Sequence, residues 1–258
     1  MSEAKSFHKF RQYAQAILLA CMLLPMEAWA APELSSENWH FEMSKNIAIE
    51  LADTPAWSMA LPYLAELTPK TQDWNVMLLH AKVELQRGNI DEADRIIQKA
   101  LSANPQNARV LAMAGNIAAD AGRYNDAVRY LEKARSIHPN AAPIMLSLAR
   151  IRFARKEWLE VITLYEKALS LISPTSEIYV RLSTAYENMG TLERAEFYLK
   201  ENLEVHPNRH LALMPLERFY RRHNRLEQAE QTARERTILQ QKKEEDTRSL
   251  RALQKSAR

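Results

Sequence analysis

Apolar residues along the middle of the chain recur at helical rather than strand spacing. Leu111, Ala114, Gly115 and Ala118 recur at helical spacing before Gly122. A second set, Ala127, Leu131, Ala134 and Ile137, returns every three or four residues and stops short of Pro139. The pattern predicts two amphipathic helices joined by a short turn. Gly122 supplies the positive φ that ends the first helix. Pro139 has no N–H to donate and stops the second.

The same arrangement recurs every 34 residues. Ala93, Ala127, Ala195 and Ala229 fall in one register, with Val161 in the remaining slot. Ala100, Ala134 and Ala168 form a second register, and Pro105, Pro139 and Pro207 a third, from which Pro174 is displaced by one residue. Gly88, Gly122 and Gly190 share a column completed by Lys156 and Asn224, and asparagine is the next best residue for a left-handed helix end. Gly115 shares its column with Ala81, Ala149 and Ser183, all small enough to let two helix backbones approach closely.

Glycine usage narrows the fold further. An average share of about 7% would give roughly 18 glycines in a chain of this length, and there are 4 in 258 residues. Tight hairpins and phosphate-cradling loops both consume glycine, so β-sandwiches, β-barrels, Rossmann domains and P-loop folds are disfavoured.

The columns resemble the tetratricopeptide repeat family, whose pattern W-x2-L-G-x2-Y…A-x3-F…P has this period. Residues 176–209 carry it through Tyr179, Leu182, Ser183, Tyr186, Ala195, Leu199 and Pro207. Residues 108–141 carry it through Leu111, Ala114, Gly115, Ala127, Leu131, Ala134 and Pro139. Residues 74–107 supply Met77, Ala81, Ala93, Ile97, Ala100 and Pro105, and residues 142–175 supply Leu148, Ala149, Tyr165 and Ala168. Two flanking units are degenerate. Residues 210–243 place Glu217 in the small-residue column and Pro215 inside the first helix, and residues 31–73 hold a helix pair with Thr54-Pro55 as its cap and first-turn proline. The resemblance implies an all-α, right-handed α-solenoid of antiparallel helix pairs, with atypical units at its ends.

The first 30 residues have the layout of a secretory signal peptide. Lys5, Lys9 and Arg11 precede the apolar run from Ala14 to Leu24, and Ala28-Trp29-Ala30 offers cleavage between Ala30 and Ala31. Leu18-Leu19-Ala20-Cys21 also resembles a lipobox, in which Cys21 would become a lipidated N-terminus, although Met22-Leu23-Leu24 continues the apolar run past it. Cys21 is the one cysteine in the chain. Cleavage after Ala30 would therefore leave an exported protein with no disulfide.

Charge is unevenly spread. Residues 31–217 carry 20 basic and 24 acidic side chains, whereas residues 218–258 carry 12 and 6. Residues 240–258 contain Lys242, Lys243, Arg248, Arg251, Lys255 and Arg258, and the basic tail, 244–258, lies beyond the last repeat. It reads as a solvated helical extension, or as a contact for an acidic partner or anionic surface.

No H-E-x-x-H or G-x-S-x-G occurs and the chain has one cysteine, so no catalytic residue, metal or cofactor is assigned. His138 and His206 lie two repeats apart, and His80 occupies a family leucine position, all consistent with structural roles. Trp74, Trp158, Tyr124 and Tyr165 sit at core spacings. In the resembling family the first helix of each pair lines a concave groove. There the ninth position of successive units reads Lys82, Asn116, Arg150, Thr184 and Arg218, with Arg181 nearby and Leu78, Met113, Leu146 and Phe153 around it. The basic fifth-position residues of carboxylate-binding members are replaced by Leu78, Ala112, Leu146 and Val180. The sequence thus points to a non-enzymatic periplasmic scaffold or assembly factor that holds a protein partner of an envelope assembly or secretion complex. The alternative is a pilotin-like outer-membrane lipoprotein anchored at Cys21, with membrane contact through that anchor alone and no nucleic-acid partner.

Bulky side chains in the small columns should destabilise the fold. Ala127→Leu or Gly115→Leu is expected to cost about 1–3 kcal/mol by overpacking, and the same change at Glu132 far less. Melting temperatures that fall equally for both classes would refute the register.

Overall fold

The computed structural model describes residues 36–52, 54, 57–206 and 208–256. The signal segment 1–30, the Ala30–Ala31 junction, Cys21, Pro55 and Pro207 lie outside them. Among the described residues there are twelve α-helices, one 3-10 turn and no strand. α1 (Ser36–Ala52) leads through the 3-10 turn Trp57–Ala60 to α2 (Leu61–Lys70). Five helix pairs follow: α3 (Trp74–Gln86) with α4 (Ile90–Ala103), α5 (Ala108–Asp120) then α6 (Tyr124–Ile137), α7 (Ala142–Ala154) with α8 (Trp158–Leu169), α9 (Ser176–Asn188) with α10 (Leu192–Val205), and α11 (Arg209–Arg222) with α12 (Leu226–Ser256). The helices fall into two compact units, α1–α5 and α6–α12.

Within each unit a helix packs chiefly on its neighbours in sequence. In the first, α2 lies on α1 and α3, α4 on α3 and α5, and α3 also meets α5. Its N-terminal core gathers Ala48, Ala52, Ala60, Leu64, Leu67, Val76 and Val83. The Thr54 hydroxyl donates to the Leu51 carbonyl at 2.8 Å and so closes α1. In the second unit each helix from α6 to α12 packs on the next, ending in a core of Ala195, Leu199, Leu216, Phe219, Tyr220 and Ala229. α12 runs unbroken across residues 243–244, so residues 244–256 of the basic tail are the outer half of that helix, and residues 241–249 are exposed.

The small-residue columns are buried throughout. Ala81, Ala93, Ala100, Ala127, Ala134, Ala149, Ala168 and Ala195 have no exposed surface, and Val161 is equally buried in its slot. Two columns change character towards the C-terminus. The Ala100, Ala134, Ala168 register continues to Asn202 and Arg236, while the Ala81, Gly115, Ala149 register continues to Ser183 and Glu217. Asn202 is fully buried, and neither its amide nitrogen nor its oxygen has a partner. Glu217 is buried too, and it is held by Arg236 at 2.9 Å and Arg221 at 3.0 Å. Small meets small in the earlier repeats; here a carboxylate meets a guanidinium.

All five residues of the glycine column adopt positive φ: Gly88 +80°, Gly122 +75°, Lys156 +59°, Gly190 +78° and Asn224 +55°. Each closes its helix with the same two hydrogen bonds. At Gly122, its own N–H donates to Ala119 O at 3.0 Å and the Arg123 N–H to Ala118 O at 2.8 Å. At Lys156, the equivalent bonds run from Lys156 to Phe153 and from Glu157 to Arg152. This is the Schellman helix ending, which satisfies carbonyls that the helix leaves open. A Cβ at Gly122 would meet nothing within 4 Å, so conformation rather than space selects glycine there.

Helix starts are less uniform. The Asp73 carboxylate caps α3 by accepting from Asn75 N at 2.9 Å, and the Asn107 side chain caps α5 by accepting from Arg109 N and Val110 N. Ala141 occupies the same place before α7 with the extended backbone of a cap (φ −79°, ψ 98°) and no side chain to bond.

Two readings from the sequence change. Tyr124 is 41% exposed rather than part of the core, because it opens α6, where the helix face turns to solvent. Glu132 is half-buried and pairs with Arg135 at 2.7 Å, which makes exposed Glu160 the better control for the overpacking experiment.

Left-handed backbone costs a side-chain-bearing residue about 1–2 kcal/mol. Lys156→Gly should therefore stabilise the protein by about 1 kcal/mol, and Gly122→Ala should destabilise it by a similar amount. Ala141→Asp, which supplies the missing cap, should add about 1 kcal/mol. Urea-denaturation midpoints check all three.

Candidate functional site

The ninth-position residues lie on the first helices of their pairs, and each unit holds its own set. In the first unit, Leu78 and Lys82 are one turn apart on α3 and Asn116 lies on α5, all three half-buried. In the second, Arg150 and Phe153 lie on α7, Arg181 and Thr184 on α9, and Arg218 on α11. The Arg181 guanidinium stacks over the Phe153 ring at 5.0 Å, joining two of these residues across helices. Arg181 also donates to Glu177 at 2.9 Å, one turn earlier on α9. The Thr184 hydroxyl donates to Val180 O at 2.9 Å within its own helix. Arg150 and Arg218 are exposed and hold no carboxylate among the described residues.

Behind this face sits a buried phenol. Tyr165 on α8 is 1% exposed and its hydroxyl has no hydrogen-bond partner. Burial pushes its pKa up to about 12, opposed by the nearby Arg181 and Arg150 charges. The ring is core, as its spacing indicates, while its hydroxyl lies in the field of both arginines.

Other charged groups stitch one repeat to the next. Asp94 on α4 holds Arg123 at 2.6 Å, and Glu196 on α10 holds Arg225 from the following turn. Glu166 on α8 accepts from Tyr186 at 2.6 Å and Tyr198 at 2.8 Å, and Tyr220 donates to Glu196 at 2.8 Å. Glu187 takes both Arg222 and His223 at 2.7 Å. Sequence reading missed these contacts, although Asp94 and Glu196 share one repeat position, and Arg123 and Arg225 share another. That pairing of columns was the available signal.

His80 is buried, as its family leucine position suggests. It shares a 2.8 Å hydrogen bond with the Thr68 hydroxyl through Nδ1, and its Nε2 lies 3.7 Å from the buried Glu84 carboxylate. Glu84 is further held by Arg87 and by Asn89 at 3.0 Å. His206 accepts from Asn208 N at 2.9 Å through Nδ1 and so braces the turn before α11.

Helix pairs that recur every 34 residues, closed by one turn geometry and packed on small-residue columns, define a helical-repeat protein. Tetratricopeptide repeat profiles match residues 78–142, 118–170 and 176–209. The chain is a tetratricopeptide repeat protein. No curated protein matches its sequence. Its fold is similar to crystal structures of MamA. One is 22% identical, with a TM-score of 0.57, and covers 64% of this chain and 96% of its own. A second, also 22% identical, reaches 0.59 and covers 67% and 94%. MamA 41-end from Desulfovibrio magneticus RS-1, 17% identical, reaches 0.56 over 64% and 94%.

Two groups give stability a pH dependence of known sign. Burial lowers the His80 pKa below its ordinary 6.5, and the Glu84 and Glu92 carboxylates oppose this without cancelling it. The unfolded chain then binds a proton that the folded chain resists, so stability falls as pH drops below about 6.5. Burial would raise the Glu196 pKa, but Arg225, Lys200 and Tyr220 overcome it and hold it at about 2. Its contribution is present above 4.5 and lost as pH falls towards 2. Denaturation midpoints from pH 8 to 3 should show both declines, and His80→Leu should flatten the upper one alone.

Proposed function

We propose that the protein is a non-enzymatic interaction scaffold that holds a partner polypeptide on the exposed faces of its first helices. Tetratricopeptide repeat proteins generally bind other proteins, and the repeats support that class here. The observation that carries the reading is the unsatisfied cationic face of the second unit. Arg150 and Arg218 are exposed and unneutralised, and the Arg181 guanidinium lies over the Phe153 ring, among partly exposed apolar neighbours. The partner belongs, in this reading, to an envelope assembly or secretion complex. The scaffold works in the periplasm of a Gram-negative cell after cleavage between Ala30 and Ala31, an address supported by the basic, apolar and A-x-A layout of residues 1–31.

A second address rests on Leu18-Leu19-Ala20-Cys21, which supports a pilotin-like lipoprotein attached at Cys21. Mass spectrometry of the native N-terminus separates the two: an Ala31 start supports the soluble form, and a diacylated Cys21 the anchored one.

Charge reversal tests the face directly. Arg150→Glu with Arg181→Glu should abolish partner capture from envelope extract while circular dichroism stays helical. Like charges at an interface cost several kcal/mol, a loss of at least about a hundredfold. Lys242→Glu with Lys243→Glu, in the outer half of α12, should leave capture intact. The reverse result would move the contact to that helix.

A further inference from the structure

In the second unit, apolar and cationic side chains occupy adjacent strips of the same helix faces. Leu146 of α7, Val180 of α9 and Met214 of α11 hold equivalent repeat positions and are all partly exposed. Four residues on in each helix stand Arg150, Thr184 and Arg218. Residues four apart share a helical face, so the two strips run side by side. Phe153 widens the apolar strip, its ring fixed by an edge contact with Trp158 at 5.4 Å and by the Arg181 guanidinium above it.

Most arginines of this unit are already neutralised. Arg152, Arg155, Arg222, Arg225 and Arg236 each hold a carboxylate. Arg150, Arg194, Arg218 and Arg248 hold none among the described residues, and of these Arg150 and Arg218 stand on the ninth-position strip of the first helices. Between them Thr184 is uncharged, with its proton committed to Val180 O. The face therefore presents two separated positive points beside an apolar track.

The geometry points to an acidic and apolar stretch of polypeptide, bound through the interior of its chain rather than by its C-terminus, as the occupant of this face. The assignment rests on the scaffold reading above and names the ligand chemistry. Arg150 on α7 and Arg218 on α11 have α9 between them, and α9 meets both helices directly, through Arg181 on Phe153 and through Glu187 with Arg222. Two helix steps of about 8–10 Å therefore put the cations roughly 20 Å apart. A chain terminus delivers its charge at one point and cannot answer both. An extended segment advances about 3.3 Å per residue, so two acidic residues about six apart can reach both cations. Side chains of such a segment alternate sides, which lets the residues between them turn apolar groups onto the Leu146, Val180 and Met214 strip.

The probe is a synthetic library of nonapeptides, acetylated and amidated so that no terminal charge remains, presented to the immobilised full chain. The retained pool should be enriched in Asp or Glu at two positions about six apart, with apolar residues between them. Arg150→Glu with Arg218→Glu should reduce retention at least about a hundredfold. Lys242→Glu with Lys243→Glu should leave it unchanged, with both variants helical by circular dichroism. Enrichment in Lys or Arg, absence of any charge preference, or undiminished retention by the Arg150/Arg218 variant overturns the acidic assignment while peptide binding stands. Retention that requires a free C-terminal carboxylate, or binding to phosphatidylglycerol vesicles in place of peptides, overturns it as well. If no peptide of any composition is retained, the scaffold reading fails together with it.

Discussion

Close approach of paired helices at alanine and glycine positions is the constraint from which the rest of the structure follows. A methyl group or a hydrogen at Ala81, Ala93 and Ala100, and at their counterparts 34 residues on, lets neighbouring helices pack with no exposed surface at those points. Interiors are packed at near-crystalline density, so such a contact admits little variation in volume. Once that distance is fixed, the larger residues between the columns, such as Leu111, Leu131, Leu148 and Leu182, fill the remaining space. The turn must then reverse the chain within a few residues, and the repeated left-handed ending does so at all five places, including one where lysine stands instead of glycine or asparagine.

Much of this was legible in the sequence because it depends on residue size and backbone preference, both of which repeat. The columns fixed where helices end, which faces are buried and where prolines fall. Partnerships between charged side chains were not legible. Glu132 looked exposed by its type, yet it is half-buried, with Arg135 one turn away and Arg152 of α7 beside it. Tyr124 looked like core by its aromatic ring and its position at a helix start, and the start itself put it in solvent. Of the proposed face, the residue list was readable from the register. What distinguishes Arg150 and Arg218 from the other first-helix arginines of the second unit, Arg152, Arg181, Arg209, Arg221 and Arg222, is that those already hold carboxylates. That is settled by rotamers and neighbouring turns rather than by period.

Buried charge is concentrated where the repeat pattern weakens. The first clear repeat replaces the usual apolar pair with His80 and Glu84, and these are answered by Thr68, Arg87 and Asn89. The last replaces two small residues with Glu217 and Arg236. The middle repeats keep Leu148, Leu182 and their neighbours and carry no comparable group. Asn202, one repeat before Glu217, is the intermediate case: polar, fully enclosed and unanswered.

The Glu217–Arg236 pair has a bearing on how such a chain finds its own order. Units built to one 34-residue plan are nearly interchangeable, so any first helix could in principle dock on the wrong second helix. α11 is an exception. Set against α4, α6 or α8 it would place the Glu217 carboxylate opposite Ala100, Ala134 or Ala168, without Arg236 and with only Arg221 of its own helix left to meet it. Removing one partner of a buried ion pair costs up to about 3–5 kcal/mol, and even half of that disfavours the mispairing by more than about tenfold. One ion pair, worth little as a source of stability, thus acts as an address label that tells otherwise identical parts which of them belong together.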